Sequence, residues 1–202
     1  MPDGIKKRRD RNMRNLLVAG NCTMPSSVGI FNLPPLKTCT SSDWCKENCY
    51  GLQGRFIWQS IKKTLEWRLK QSLRFDFVDK MVDEIKRRKR IKYVRPHITG
   101  DFYFLSYLCR WFVIAKKCPD ILFRITTRRQ DLLYFMKKHK PKNFIIREST
   151  DNTRKSTGFF PQATIKGTKD SKRFFVCIDD CEKCKFYCYY HPKRNVVTGK
   201  IR

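Results

Sequence analysis

The chain has 202 residues, 41% of them hydrophobic, enough for one domain that folds by burying a core and not by disulfides alone. Lysine and arginine number 45 against 18 acidic residues, and the resulting net charge of +27 points to a polyanionic partner, nucleic acid before a membrane surface or an acidic protein. No apolar run reaches the roughly 18 residues that would span a bilayer, and LLVAG is too short for a signal-peptide core, so the expected location is the cytoplasm.

Residues 1 to 20, which contain KKRRDRNMR, read as a basic arm; 21 to 172 read as an α/β domain, and 173 to 202 as a cysteine-rich, cluster-binding segment packed on that domain. VGIFNLPPLKTC is apolar and β-prone until Pro34 and Pro35 stop it, which predicts a first strand delivering its end to the first cysteines. From Arg55 the spacing becomes helical: Phe56, Ile57, Ile61, Leu65 and Leu69 mark one helix, and Val78, Met81, Val82 and Ile85 a second. Then strand and helix alternate. KYVRPHI, ILFRITT and NFIIREST are strands; LSYLCRWFVIAKK and DLLYFMKKH, with Asp131 near its start, are helices; TIKG and RFFVCI are weaker strands. Short connections between alternating elements predict a mainly parallel sheet with covering helices, either an open sheet or a partial TIM-like barrel. The turn-rich stretch from Ser149 to Lys172 reads as a mobile surface loop near the site.

In such folds ligands gather at the carboxyl ends of the strands. That rule brings Cys39, Cys45 and Cys49, then His97, Thr99, Gly100 and Asp101, then Thr126, Thr127 and Arg128, then Arg147, Glu148 and Ser149 to one rim. His97 and Asp101 flank a glycine turn and have the chemistry of an acid–base pair, or of a ligand and its orienter. Their plainer readings are a satisfied loop histidine and the N-cap of the LSYLCRWF helix. Arg95, Arg124, Arg128, Arg129 and Arg147 lie near strand ends, where forked guanidinium groups hold phosphate or carboxylate, and Arg147 joins His97 and Asp101 as a candidate catalytic residue.

Cysteines in a reducing compartment are ligands or buried thiols sooner than disulfides. Cys39, Cys45 and Cys49 form a C-x5-C-x3-C pattern with three thiols, which leaves a position open on a cluster or metal, or closed by Cys22, His191 or a later cysteine. Cys177, Cys181, Cys184 and Cys188 form C-x3-C-x2-C-x3-C, a compact run of the kind found in iron–sulfur loops. One or two 4Fe-4S clusters are the expected cofactor, with zinc as the alternative. Cys109 and Cys118 read as buried thiols, and His139, at a helix C-terminus, has no catalytic role. Tyr189 and Tyr190, set among lysines, suit stacking on exposed bases, whereas Phe174 and Phe175 suit a strand core.

The strings NLPPLKTCTSSDWCKENCYG and RPHITGDFY, a strand ending in TTRR, another ending in REST, and the terminal cysteines together resemble the gene-product-88-like proteins of bacteriophages and mobile elements. The resemblance runs from Val28 to Cys188 and implies a phage or mobile-element origin, hence a host cytoplasm; the family carries no established activity. A looser likeness is to radical S-adenosylmethionine enzymes, which place three cysteines after their first barrel strand to hold a four-iron cluster. Their spacing is C-x3-C-x2-C, different from the spacing here. Gly100 to Phe102 stands where those enzymes carry a glycine-rich segment touching the cofactor. That likeness implies S-adenosylmethionine as a cofactor, with Gly100, Thr127, Arg128 and Ser149 as its contacts. Three functional readings result: an iron–sulfur enzyme acting on nucleic acid; a zinc- or cluster-stabilised DNA- or RNA-binding protein without catalysis; and a DNA-base-modifying transferase using Asp101 on an extruded base, with Glu148 as the second acid.

Overall fold

Strands built from short apolar and β-branched runs line up side by side in nearly the order in which the chain makes them. The structure is a computed structural model and describes residues 15–165 and 174–198. Its elements are β1 (Val18–Ala19), β2 (Val28–Phe31), α1 (Asp43–Glu47), α2 (Gln59–Leu73), α3 (Phe77–Arg87), β3 (Tyr93–Pro96), α4 (Leu105–Lys117), β4 (Leu122–Thr127), α5 (Leu133–His139), β5 (Phe144–Ser149), β6 (Gln162–Thr164), β7 (Phe175–Val176), α6 (Tyr187–Tyr190) and β8 (Val196–Val197). They form an eight-stranded sheet in the order β1-β2-β3-β4-β5-β6-β8-β7. Among the described residues only the β1–β2 pair is antiparallel.

Among the described residues the ends of this order, β1 and β7, are edges and do not pair to close a barrel. Winding from β2 to β5 proceeds in one direction, and right-handed crossovers then put the intervening helices on one face, as in a segment of a barrel. Alternation along each strand divides the core accordingly. Phe31, Val94, Phe123, Ile125, Phe144 and Ile146 face the helices, packing with Met81 and Ile85 of α3, Leu108 and Trp111 of α4, and Leu133 and Met136 of α5. Val28, Ile30, Tyr93 and Ile145 face the other way, where Tyr189 of α6 covers them together with Cys181 and Phe186. The cysteine-rich segment therefore fills the inner face and adds β7 and β8 to the sheet.

Some boundaries differ from the sequence expectation for identifiable reasons. The first helix begins at Gln59, because Phe56 and Ile57 lie in a 3-10 turn, Gly54–Ile57, with Ile57 exposed. The expected arm ends inside the fold: Leu16 and Leu17 are buried, and their amides donate to the Glu84 carboxylate at 2.7 and 3.0 Å. KKRRDRNMR lies outside the described residues. The stretch expected to be a mobile loop is tied down as far as Ile165. Buried Glu148 accepts from the amides of Thr157 and Phe160 and from the hydroxyls of Ser156 and Thr157, and residues from Gln162 form β6. Residues 166–173, with parts of TIKG and RFFVCI, lie outside the described residues. No described helix is long and apolar enough to cross a membrane.

Candidate functional site

The rim forms where β3, β4 and β5 end, and two left-handed positions bend the chain after β3: His97 at φ +60° and Gly100 at φ +81°. At Gly100 glycine is needed twice over. The backbone sits in the region that side chains avoid, and a Cβ would lie 2.6 Å from Leu33 Cβ and 2.7 Å from Thr38 Oγ1. This close approach, together with the Leu33 amide bonded to the Thr99 carbonyl, presses the cysteine loop against the rim.

Asp101 is buried and accepts three hydrogen bonds: from the Phe102 amide at 2.8 Å, the Thr127 hydroxyl at 2.7 Å and the Arg128 amide at 2.8 Å. It ties the exits of β3 and β4 together and does not cap α4, whose N-cap is Phe104. Burial pushes its carboxyl pKa up, and the three donors oppose that rise. The Arg129 guanidinium completes the tie by donating to the Phe102 carbonyl and to Asp131.

His97 is also buried, but among the rings of Phe102, Tyr107 and Trp111. Its Nε2 lies 2.9 Å from the Tyr107 hydroxyl, and its Nδ1 has no hydrogen-bond partner among the described residues. Burial lowers its pKa to about 3, so the ring is neutral at physiological pH. The expected acid–base pair thus shares a turn while each member is engaged elsewhere.

Arg147, the third candidate catalytic residue, is wholly buried. Its guanidinium donates to the carbonyls of Arg194 at 3.1 Å, Cys188 at 2.9 Å and His191 at 2.8 Å. It clamps the C-terminal segment onto the sheet. Among the expected cofactor contacts, the Thr127 hydroxyl is taken by Asp101, and Arg128 pairs with Asp151 at 2.5 Å. Ser149 ends β5, in register with Ala163. The base-modifying reading needs Asp101 and Glu148 free, and both carboxylates are engaged: Asp101 by donors from its own loop and the exit of β4, Glu148 by donors from the loop after β5.

The first cysteine loop is shaped by a cap: Ser42 Oγ accepts from the Cys45 amide at 3.2 Å at the start of α1. Cys39, Cys45 and Cys49 are within electrostatic reach of one another, and burial, then nearby Asp101, raises the Cys39 thiol to about 11. In the second group the Cys181 amide donates to the Thr23 carbonyl at 3.1 Å, and burial followed by Cys184 raises the Cys181 thiol to about 11. All ten cysteines are free thiols; Cys118 is buried as expected, whereas Cys109, also expected to be buried, is half-buried. Among the described residues no group of three or more His, Cys, Asp or Glu side chains is gathered closely enough to hold a metal ion.

Two features lay outside the sequence reading. Tyr189, expected to stack on bases, is 4% exposed and packs on the inner face, whereas Tyr190 stays exposed with its hydroxyl 2.7 Å from that of Tyr93. Beside the cysteine loop runs an open groove of about 660 Å³ lined by residues including Ser41, Trp44, Gln130, Arg154 and Lys155. A second concavity of about 410 Å³ shares Gln130 and Arg154 with it and reaches Tyr103, Arg128 and Arg129. Arg154 joins its walls by donating to the carbonyls of Arg128 at 2.6 Å and Thr40 at 3.3 Å. The sequence signal for this groove was the cation pair at 154 and 155, hidden in a stretch read as loop.

Over 162 residues the chain is 24% identical to the "Gene 88 protein" of Mycobacterium phage L5 and 22% identical to the "Gene 88 protein" of Mycobacterium phage D29. Each match covers 73% of this chain and 68% of the relative. No solved structure matches it. The family model described as Gene product 88 matches residues 4–175, most of the sequence and all the elements from β1 to β6 that build the rim, and the chain belongs to that family.

Proposed function

We propose that this is a phage-encoded nucleic-acid-binding protein whose rim groove takes the phosphate backbone. Uncompensated charge carries this reading. Lysine and arginine outnumber the acidic residues 45 to 18, so even with every acid paired a net +27 is left for an outside polyanion. In the groove Lys155 is exposed and forms no ion pair among the described residues, and Trp44 adds a ring for a base. Lys155→Glu is expected to weaken DNA and RNA binding about tenfold at moderate salt while leaving the melting temperature unchanged; undiminished affinity would contradict the groove assignment.

The cysteines support a 4Fe-4S cluster in the same protein, with zinc as the alternative. Cys39, Cys45 and Cys49 would hold a cluster at the rim, and Cys177, Cys181, Cys184 and Cys188 would hold a second or complete the first. A bound cluster supplies redox chemistry or rigidity. The one-way winding of the sheet, with three thiols after its first parallel strand, favours a second reading as a radical S-adenosylmethionine-like enzyme. That cofactor fits poorly, because the Thr127 and Arg128 side chains and the open side of Gly100 are occupied by the protein's own groups. Binding is therefore preferred to catalysis. Protein purified without oxygen is expected to contain iron and acid-labile sulfide, and replacing Cys177 and Cys188 by serine is expected to remove part or all of both. Zinc without sulfide would reverse the cluster assignment.

A further inference from the structure

Arginines occupy inward positions on three adjacent strands: Arg95 on β3, Arg124 on β4 and Arg147 on β5. Arg147 spends its guanidinium on the C-terminal carbonyls, and Arg95 has a single long contact from Nη1 to Met24 Sδ at 3.8 Å. Arg124 is 3% exposed, and its Nε and Nη2 have no hydrogen-bond partner among the described residues. Those two nitrogens form one edge of the guanidinium fork, the edge that grips two oxygens of an oxyanion side by side. Thr126, two residues further along the same face of β4, also has a buried hydroxyl without a partner, and so does Tyr189 on the α6 segment that covers this face.

Arg95 and Arg124 are within electrostatic reach of each other, of Tyr189 and of Cys181, and Arg95 is also within reach of Tyr50 and Cys188. Arg124 further reaches Cys177 and Arg147. The titratable groups seen within reach are thiols, phenols and another arginine, and the thiols offset the arginines only where they are ionised. A guanidinium held out of water without an acceptor is too costly to be incidental packing.

We propose that Arg95, Arg124, Thr126 and Tyr189 form an internal binding site for a phosphate-type oxyanion, enclosed between the sheet and the C-terminal segment. Four donor groups on this face and its cover, two of them cationic, match the several acceptor oxygens and multiple charge of phosphate. The anion would add negative charge to a face that carries three arginines. This site is separate from the rim groove: it lies on the inner face of the strands and uses no groove residue.

The test is thermal unfolding and calorimetric titration of the full chain in chloride buffer, with inorganic phosphate in one arm and a nucleoside 5′-monophosphate in the other. Saturable stabilisation by either is expected, and the arm with the lower Kd identifies a free ion or a nucleotide phosphate as the source. Arg124→Met is expected to lower the affinity at least tenfold and, without phosphate, to leave the melting temperature unchanged or raise it. Tyr189→Phe, which keeps the ring, is expected to weaken binding several-fold with no change in the phosphate-free melting temperature. No saturable binding, or the same Kd in wild type and both variants, would overturn the proposal. So would an Arg124→Met destabilisation of equal size with and without phosphate.

Discussion

His97 holds a left-handed backbone, a buried ring hydrogen-bonded to Tyr107, and an amide that donates to the Phe31 carbonyl, a combination that makes it a structural joint at the rim. Its folded pKa, about 3, lies below the ordinary value of 6.5, so the unfolded chain binds its proton first. Its contribution is fully present above pH 6.5 and falls as the pH drops toward 3, a loss of about 2 kcal/mol by pH 5. Urea unfolding from pH 5 to pH 7.5 checks this. Wild type is expected to lose stability on the acid side, and His97→Asn, which tolerates the backbone and does not titrate, is expected to lose about 2 kcal/mol less over the same interval. Asp101 acts with the opposite sign, because burial raises its carboxyl pKa, but it is common to both proteins. The sequence did reveal that His97, Gly100 and Asp101 stand at a strand exit. Which way each side chain points was not legible, because it depends on Tyr107 ten residues away and on Thr127 across the sheet.

Among the elements, the C-terminal segment departs most from its sequence reading. Its cysteines were legible by spacing, and the alternating strands and helices by their periods of about two and 3.6 residues. That α6 fills the inner face was not legible, because its docking relies on Arg147, a strand residue more than forty positions before the carbonyls it binds. Local patterns carry no record of such a contact. Arg147→Met keeps much of the side-chain volume but leaves three carbonyls without donors and is expected to cost about 3 kcal/mol or more. Denaturant titration measures that loss, and hydrogen exchange at Tyr187–Tyr190 is expected to accelerate. Slow exchange there in the variant would show that the segment is held by other contacts.

At the scale of the whole molecule, charge and topology act together. One-way winding places helices on one face and the cysteine segment on the other, so the strand exits remain as a rim with a polar, basic groove. A net +27 draws a polyanion toward the protein at long range, and the groove gives its backbone a place to settle. The overall charge was legible in composition; the groove was not, since Trp44 and Lys155 meet there only after Glu148 and Asp151 have ordered the loop between β5 and β6. The most direct measurement is nucleic-acid affinity as a function of salt. A log–log slope of about −4 or steeper is expected, a few-hundredfold loss of affinity between about 50 and 200 mM salt, as several phosphates release their counterions. A slope flatter than about −1, or no binding at the lower salt, would contradict nucleic-acid binding as this protein's function.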